Sequence, residues 1–129
     1  MFFRIRSYFE SFQGVKGMTR PLENNDIEGK YLDQMRNLVL RVASDIDCTI
    51  FLFGSRARGA HRRSSDIDIG FSGLTDVTFT KVRDILLEEL EESMIPHHVD
   101  LVNMDTAPRY FKDVAMSEVI VWKQNSHVN

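Results

Sequence analysis

The sequence has a single cysteine, only three prolines, no long apolar run and no excess of positive charge. Cys48 alone cannot form an internal disulfide, and beside an apolar run it reads as a small core residue. A chain that does without disulfides suits a reducing cytoplasm. No segment approaches the roughly 20 apolar residues of a membrane span. At the N-terminus Phe2, Phe3, Ile5, Tyr8, Phe9 and Phe12 are interrupted by Arg4, Arg6 and Glu10, which breaks any signal-peptide core. A net charge of −3 excludes the global basic field of a stand-alone nucleic-acid binder. No internal repeat or low-complexity stretch is present, so the fold is not a repeat array.

What remains is an ordinary globular composition, 43% apolar and 27% charged, in 129 residues. That length suits one domain. Residues 1–25 read as an N-terminal extension, 26–124 as the working domain and 125–129 as a tail. The extension reads either as an amphipathic helix that docks on a partner or as the product of an upstream start codon, with Met18 opening the domain.

Ile27, Tyr31, Leu32, Met35, Leu38, Val39 and Val42 recur at helical spacing and predict a helix over about Ile27–Ser44. Thr49–Phe53 is a short β-branched and aromatic run, a buried strand by composition. Strands are also expected over about Asp66–Phe71, His97–Val102 and Val119–Trp122. The polar run from Ser72 to Thr78 predicts a loop. A helix over about Phe79–Ser93 follows, burying Val82, Ile85, Leu86, Leu87 and Leu90, with Pro96 beyond its end. A short helix over Pro108–Met116 precedes the last strand. The fold class is therefore a small mixed α/β sheet with helices packed against it. Tyr8, Tyr31 and Tyr110 read as aromatic packing.

The chemistry-bearing residues are concentrated in one stretch. Gly54-Ser55-Arg56-Ala57-Arg58-Gly59 follows a strand, and Ser65-Asp66-Ile67-Asp68-Ile69 follows ten residues after Ser55. Strand side chains alternate, so Asp66 and Asp68 share one face while Ile67 and Ile69 take the other. Like charges that close repel unless a cation lies between them. Oxygen donors of this kind suit Mg²⁺, which takes one or two carboxylates, waters and substrate phosphates. Asp100, within Val99-Asp100-Leu101, repeats the pattern. Any one of these acids alone would read as the polar face of a half-buried strand. Gly54 lets backbone approach a ligand, and Ser55 suits the cap of a following turn, where backbone N–H groups attract anions. Arg56 and Arg58 supply cations suited to phosphate. His61, Arg62 and Arg63 read equally well as a solvated basic loop. His97 and His98 do not read as a zinc site, because adjacent strand residues face opposite sides and no cysteine or histidine cluster lies nearby. His97 is expected at the surface or a substrate edge.

Gly54-Ser55, ten intervening residues, Asp66-x-Asp68 and a later Asp100 together resemble the nucleotidyltransferase fold of the polymerase-beta type. The short length and the form Gly-Ser-Arg-Ala-Arg-Gly…Ser-Asp-Ile-Asp-Ile resemble its smallest members, the minimal nucleotidyltransferases. The resemblance runs from about residue 27 to residue 123. It implies that Asp66, Asp68 and Asp100 are catalytic and hold two Mg²⁺ ions. It also implies that Gly54 and Ser55 hold the triphosphate of ATP, and Arg56, Arg58 and Ser65 are expected to bind the nucleotide beside them. Asn103 stands where relatives often carry another acid, and the aromatic N-terminal extension matches no family counterpart.

The implied reaction is transfer of AMP from ATP to a hydroxyl. A domain this small has no second lobe to enclose an acceptor, so the acceptor is expected on a partner chain. The resemblance extends to antitoxins paired with helical HEPN toxins, in which AMP is placed on a toxin tyrosine. Two alternatives stay open: a contact-only neutralising module whose nucleotide site is vestigial, and the catalytic half of a split small-molecule nucleotidyltransferase. Homo- or hetero-oligomers are compatible with each. No membrane and no direct nucleic-acid partner is expected.

Overall fold

The structure, a computed structural model, describes residues 2–5, 24–59 and 66–126, with side chains described from residue 29 onward. Tyr8, Phe9, Phe12, Met18, His61, Arg62, Arg63 and Ser65 lie outside the described residues, as does the side chain of Ile27.

The chain runs β1 (Phe2–Ile5), α1 (Asn24–Val42), β2 (Thr49–Phe53), α2 (Ser55–Arg58), β3 (Ile67–Ser72), α3 (Asp76–Glu92), β4 (Val99–Asn103), a 3-10 turn (Met104–Thr106), α4 (Arg109–Ala115) and β5 (Ile120–Lys123). The strands form one five-stranded sheet in the order β1-β4-β3-β2-β5. β3 and β4 are parallel and joined through α3, while β1–β4, β2–β3 and β2–β5 are antiparallel. A parallel pair needs such a crossover, because a tight turn can join only antiparallel neighbours.

The two sheet faces differ. On one face Ile50, Leu52, Ile67, Ile69, Phe71, Val99 and Leu101 are buried in the main core. Met35, Leu38 and Val39 from α1 and Phe79, Val82, Leu86 and Leu90 from α3 complete that layer. The other face carries a smaller apolar cluster of Phe51, Phe53, Val102, Met104 and Ala115, with Phe111 and Val119 packed against it. Strand alternation thus explains why Phe51 and Phe53 pack apart from Ile50 and Leu52. Cys48 is fully buried in the main core, and its burial pushes the thiol above its ordinary value near 9.0.

Four readings of the sequence change. The N-terminal residues Phe2–Ile5 form an edge strand on β4, with Phe3 opposite Leu101 and Arg4 opposite Asp100, instead of helix. Helix α3 begins three residues earlier than its apolar pattern, because Thr75 caps it: the Thr75 side chain accepts from the Thr78 amide at 3.1 Å. Asp76 sits in the first turn, where a negative charge meets the helix dipole favourably. Ile85 is 48% exposed, since it lies about 100° around the helix from Leu86 and off the buried stripe. Tyr110 is exposed on α4; Tyr31 does pack, edge-on to His97 with ring centroids 5.8 Å apart.

Candidate active site

Asp68 and Asp100 lie on the sheet face that bears the smaller cluster, with Phe53 of that cluster paired to Asp68. β3 and β4 run parallel with Asp68 in register with Asp100, so their side chains project from the same face of neighbouring strands. Strands in such a pair are about 4.8 Å apart. Both residues are half-buried, and their sequence neighbours Ile67, Ile69, Val99 and Leu101 are anchored in the main core on the opposite side. Asp66 stands one residue before β3 begins and is also half-buried.

β2 delivers the turn to the same place. Phe53, its last residue, pairs with Asp68, and Gly54 follows directly. Gly54 adopts φ 79°, ψ −157°, a region essentially reserved for glycine. The reason lies across the strand: a Cβ on Gly54 would overlap Asp68 Oδ2 and stand 3.1 Å from Asp68 Cγ. The turn backbone and the Asp68 carboxylate are therefore packed against each other.

The single turn α2 opens at Ser55, with Gly54 as its N-cap and the Ala57 and Arg58 amides donating to the Gly54 carbonyl at 3.1 and 3.2 Å. Ser55 is thus the first helical residue, and no side-chain hydrogen bond caps the turn, contrary to the capping role read from the sequence. Gly59 ends the turn in the left-handed conformation, φ 74°. Arg58 is exposed. Arg56 is buried, and its Nε donates to the Asp66 carbonyl at 3.2 Å.

Sequence reasoning missed His98. It lies two residues before Asp100, and its Nδ1 stands 3.9 Å from Asp66 Oδ1 while its carbonyl accepts from the Ile67 amide at 2.9 Å. The signal was the i, i+2 spacing of His98 and Asp100, which places both on one face of an extended chain. His97, expected at the surface, is buried against Tyr31 instead. Asn103 is fully buried away from the acids: it donates to Asp76 Oδ1 at 3.0 Å and accepts from the Asp105 amide at 3.3 Å, tying β4 to α3 and the 3-10 turn.

The donor set is all oxygen, which suits Mg²⁺ better than a soft metal. Among the described residues no three acids, histidines or cysteines converge into a cage able to hold an ion alone. Mg²⁺ does not require one, since it commonly binds through one or two carboxylates and completes its shell with water and substrate phosphates. The paired Asp68 and Asp100 therefore fit an ion shared with a phosphate ligand.

The profile of the family described as Polymerase beta, Nucleotidyltransferase matches residues 40–127. The chain belongs to this family. The match takes in β2 through β5 and all the candidate residues, and leaves β1 and most of α1 outside it. The chain is 28% identical over 96 residues, 74% of its length and 82% of the relative's, to the Haemophilus influenzae protein named "Probable protein adenylyltransferase MntA". Two crystal structures share its fold at a TM-score of 0.50, each covering 70% of this chain and 74% of the other. One is a toxin–antitoxin solved with AMP-PNP, at 24% identity. The other is a mutant of the toxin–antitoxin MntA–HpeT, at 22% identity. Among the described residues no helix is long and apolar enough to cross a membrane.

Proposed function

We propose that this nucleotidyltransferase moves AMP from ATP to a hydroxyl of a partner protein, a tyrosine of a helical HEPN-type toxin, and so acts as its antitoxin. The observation that carries this reading is the register of Asp68 with Asp100 beside a glycine turn packed on Asp68. Family membership supplies the reaction class. The MntA relative supplies the adenylyl group and the protein acceptor, and the toxin–antitoxin structures supply the kind of partner.

In this scheme the acceptor oxygen attacks the α-phosphorus, a new P–O bond forms, the bond to the β-phosphate breaks and pyrophosphate leaves. Asp68 and Asp100 would hold one Mg²⁺ together with the triphosphate, and Asp66 and Asp68 would contribute to a second. When bound, divalent cations supply neutralisation of phosphate charge and a lowered pKa at the attacking hydroxyl. Asp100 takes the hydroxyl proton on its carboxylate. Ser55, through its hydroxyl and amide, and Arg58, through its exposed guanidinium, hold the departing pyrophosphate. A phenol, with an ordinary pKa of about 10, needs less acidification than an alkyl alcohol.

Co-purification with the product of the neighbouring gene, addition of ATP and Mg²⁺, and intact-mass spectrometry of that partner test the reading. One AMP per partner is expected, and Asp100→Asn should cut transfer by orders of magnitude while ATP still binds. A partner of unchanged mass whose toxicity is still suppressed, by wild type and Asp100→Asn alike, would favour contact-only neutralisation.

A further inference from the structure

We infer that Arg56 is a positioning residue that fixes Asp66 relative to the Gly54–Ser55 turn, and is not a ligand of the triphosphate. The inference rests on the nucleotidyl-transfer reading above. Arg56 and Arg58 lie two residues apart on α2, about 200° around its axis, and so diverge: Arg58 points out, whereas Arg56 is only 6% exposed. A guanidinium is rarely buried to that degree unless its donors are engaged. Its Nε is engaged with the Asp66 carbonyl, ten residues along the chain.

Asp66 lies one residue outside the sheet ladders, where such a tether can act on it. The β2–β3 ladder reaches only to Phe53 opposite Asp68, and the β3–β4 ladder begins with Ile67 opposite Val99. Asp66 therefore precedes the first ladder pair on either side. Among the bonds at its peptide are Arg56 from α2 on its carbonyl and the His98 carbonyl on the following Ile67 amide. The Asp66 carboxylate projects beside His98. Arg56 thus links the turn that would hold phosphate to the acid that would hold metal. Lysine cannot reproduce this, since it has a terminal ammonium and no donor at the Nε position.

The test compares wild type with Arg56→Lys, Arg56→Gln and Arg58→Ala. Calorimetry with inorganic tripolyphosphate in EDTA reads phosphate holding, and electron paramagnetic resonance of Mn²⁺ in the presence of ATP reads metal holding. Both Arg56 variants should bind tripolyphosphate within about twofold of wild type, whereas Arg58→Ala should lose about tenfold or more. Mn²⁺ half-saturation should rise by about 10–100-fold in the Arg56 variants, the range typical for loss of a residue that orients a metal ligand. Tripolyphosphate binding that falls in Arg56→Lys as in Arg58→Ala would overturn the inference and make Arg56 a phosphate ligand. Unchanged Mn²⁺ binding in a folded variant would overturn it too, and so would an Arg56→Lys protein that is unfolded at the assay temperature, since either leaves a role in the fold alone. If wild type binds neither probe, the nucleotide reading itself fails and takes the inference with it.

Discussion

A methyl group on Gly54 would carry two separate penalties, which makes this residue a direct probe of how the turn and the acids fit together. One is conformational: φ 79°, ψ −157° is costly for any residue with a Cβ, by about 1–3 kcal/mol. The other is the overlap with Asp68. Gly54→Ala should therefore destabilise by at least the first amount in urea denaturation. In a Gly54→Ala, Asp68→Ala double-mutant cycle the overlap should be relieved and the conformational part retained, so the two effects should not add. Strict additivity would mean that the turn and Asp68 are not in contact. Cys48 offers a pH-dependent test. Burial is the main cause of its raised pKa, with the Asp47 charge adding and the Lys123 charge opposing. The unfolded chain then ionises this thiol at lower pH than the folded protein does. Its contribution to stability is complete below the unfolded value and is lost as pH rises through the folded one. Wild type should lose stability above about pH 9 relative to Cys48→Ala; parallel curves would show an unburied thiol.

At the scale of elements, what the sequence showed and what it hid have physical causes. The 3.6-residue period of α1 and the apolar run of β2 were legible because burial dictates both patterns. The acid face of β3 was legible because strand alternation is strict: Asp68 opposite the core-facing Ile67 and Ile69 can point only one way. The start of α3 was not, because Asp76, Val77 and Thr78 are exposed or half-buried and carry no periodic signal, and the capping Thr75 resembles any turn residue. β1 was hidden because its pairing with β4 joins residues about a hundred positions apart, and alternating aromatics and arginines suit several structures. The inward turn of Arg56 was hidden for a similar reason: its partner is a backbone carbonyl, which no side-chain pattern reports. The Thr75 cap can be measured. Thr75→Ala should lower stability by about 1 kcal/mol, within the 0.5–2 kcal/mol known for such caps. Hydrogen exchange at the Thr78 amide, which donates to the Thr75 hydroxyl, should quicken in the variant. No change at that amide would mean that α3 starts where its apolar pattern does.

For the whole molecule, the decisive property is that one end of the sheet sets two carboxylates side by side. Asp68 and Asp100 face the same way on adjacent strands, and like charges directly opposite each other in a sheet destabilise it by a fraction of a kcal/mol to about 1 kcal/mol. A cation shared between the two carboxylates would relieve that repulsion. The arrangement is consistent with a protein stabilised by what it binds, and this gives a thermodynamic signature independent of any acceptor. In metal-free buffer Asp68→Asn should be as stable as wild type or slightly more so, because a repulsion is removed. With Mg²⁺ and ATP at about 100 times the dissociation constant, wild type should gain about 2.7 kcal/mol by mass action on the folded state. In a domain of this size that corresponds to several degrees in melting temperature. The variant should gain far less, so the order of the two melting curves should invert when metal and nucleotide are added. ATP in EDTA should produce a smaller shift, because the turn still holds phosphate but the acids no longer share a cation with it. If Asp68→Asn melts well below wild type without metal, the carboxylate is a structural part of the fold, and the reading of this sheet end as a metal and nucleotide site fails at its foundation.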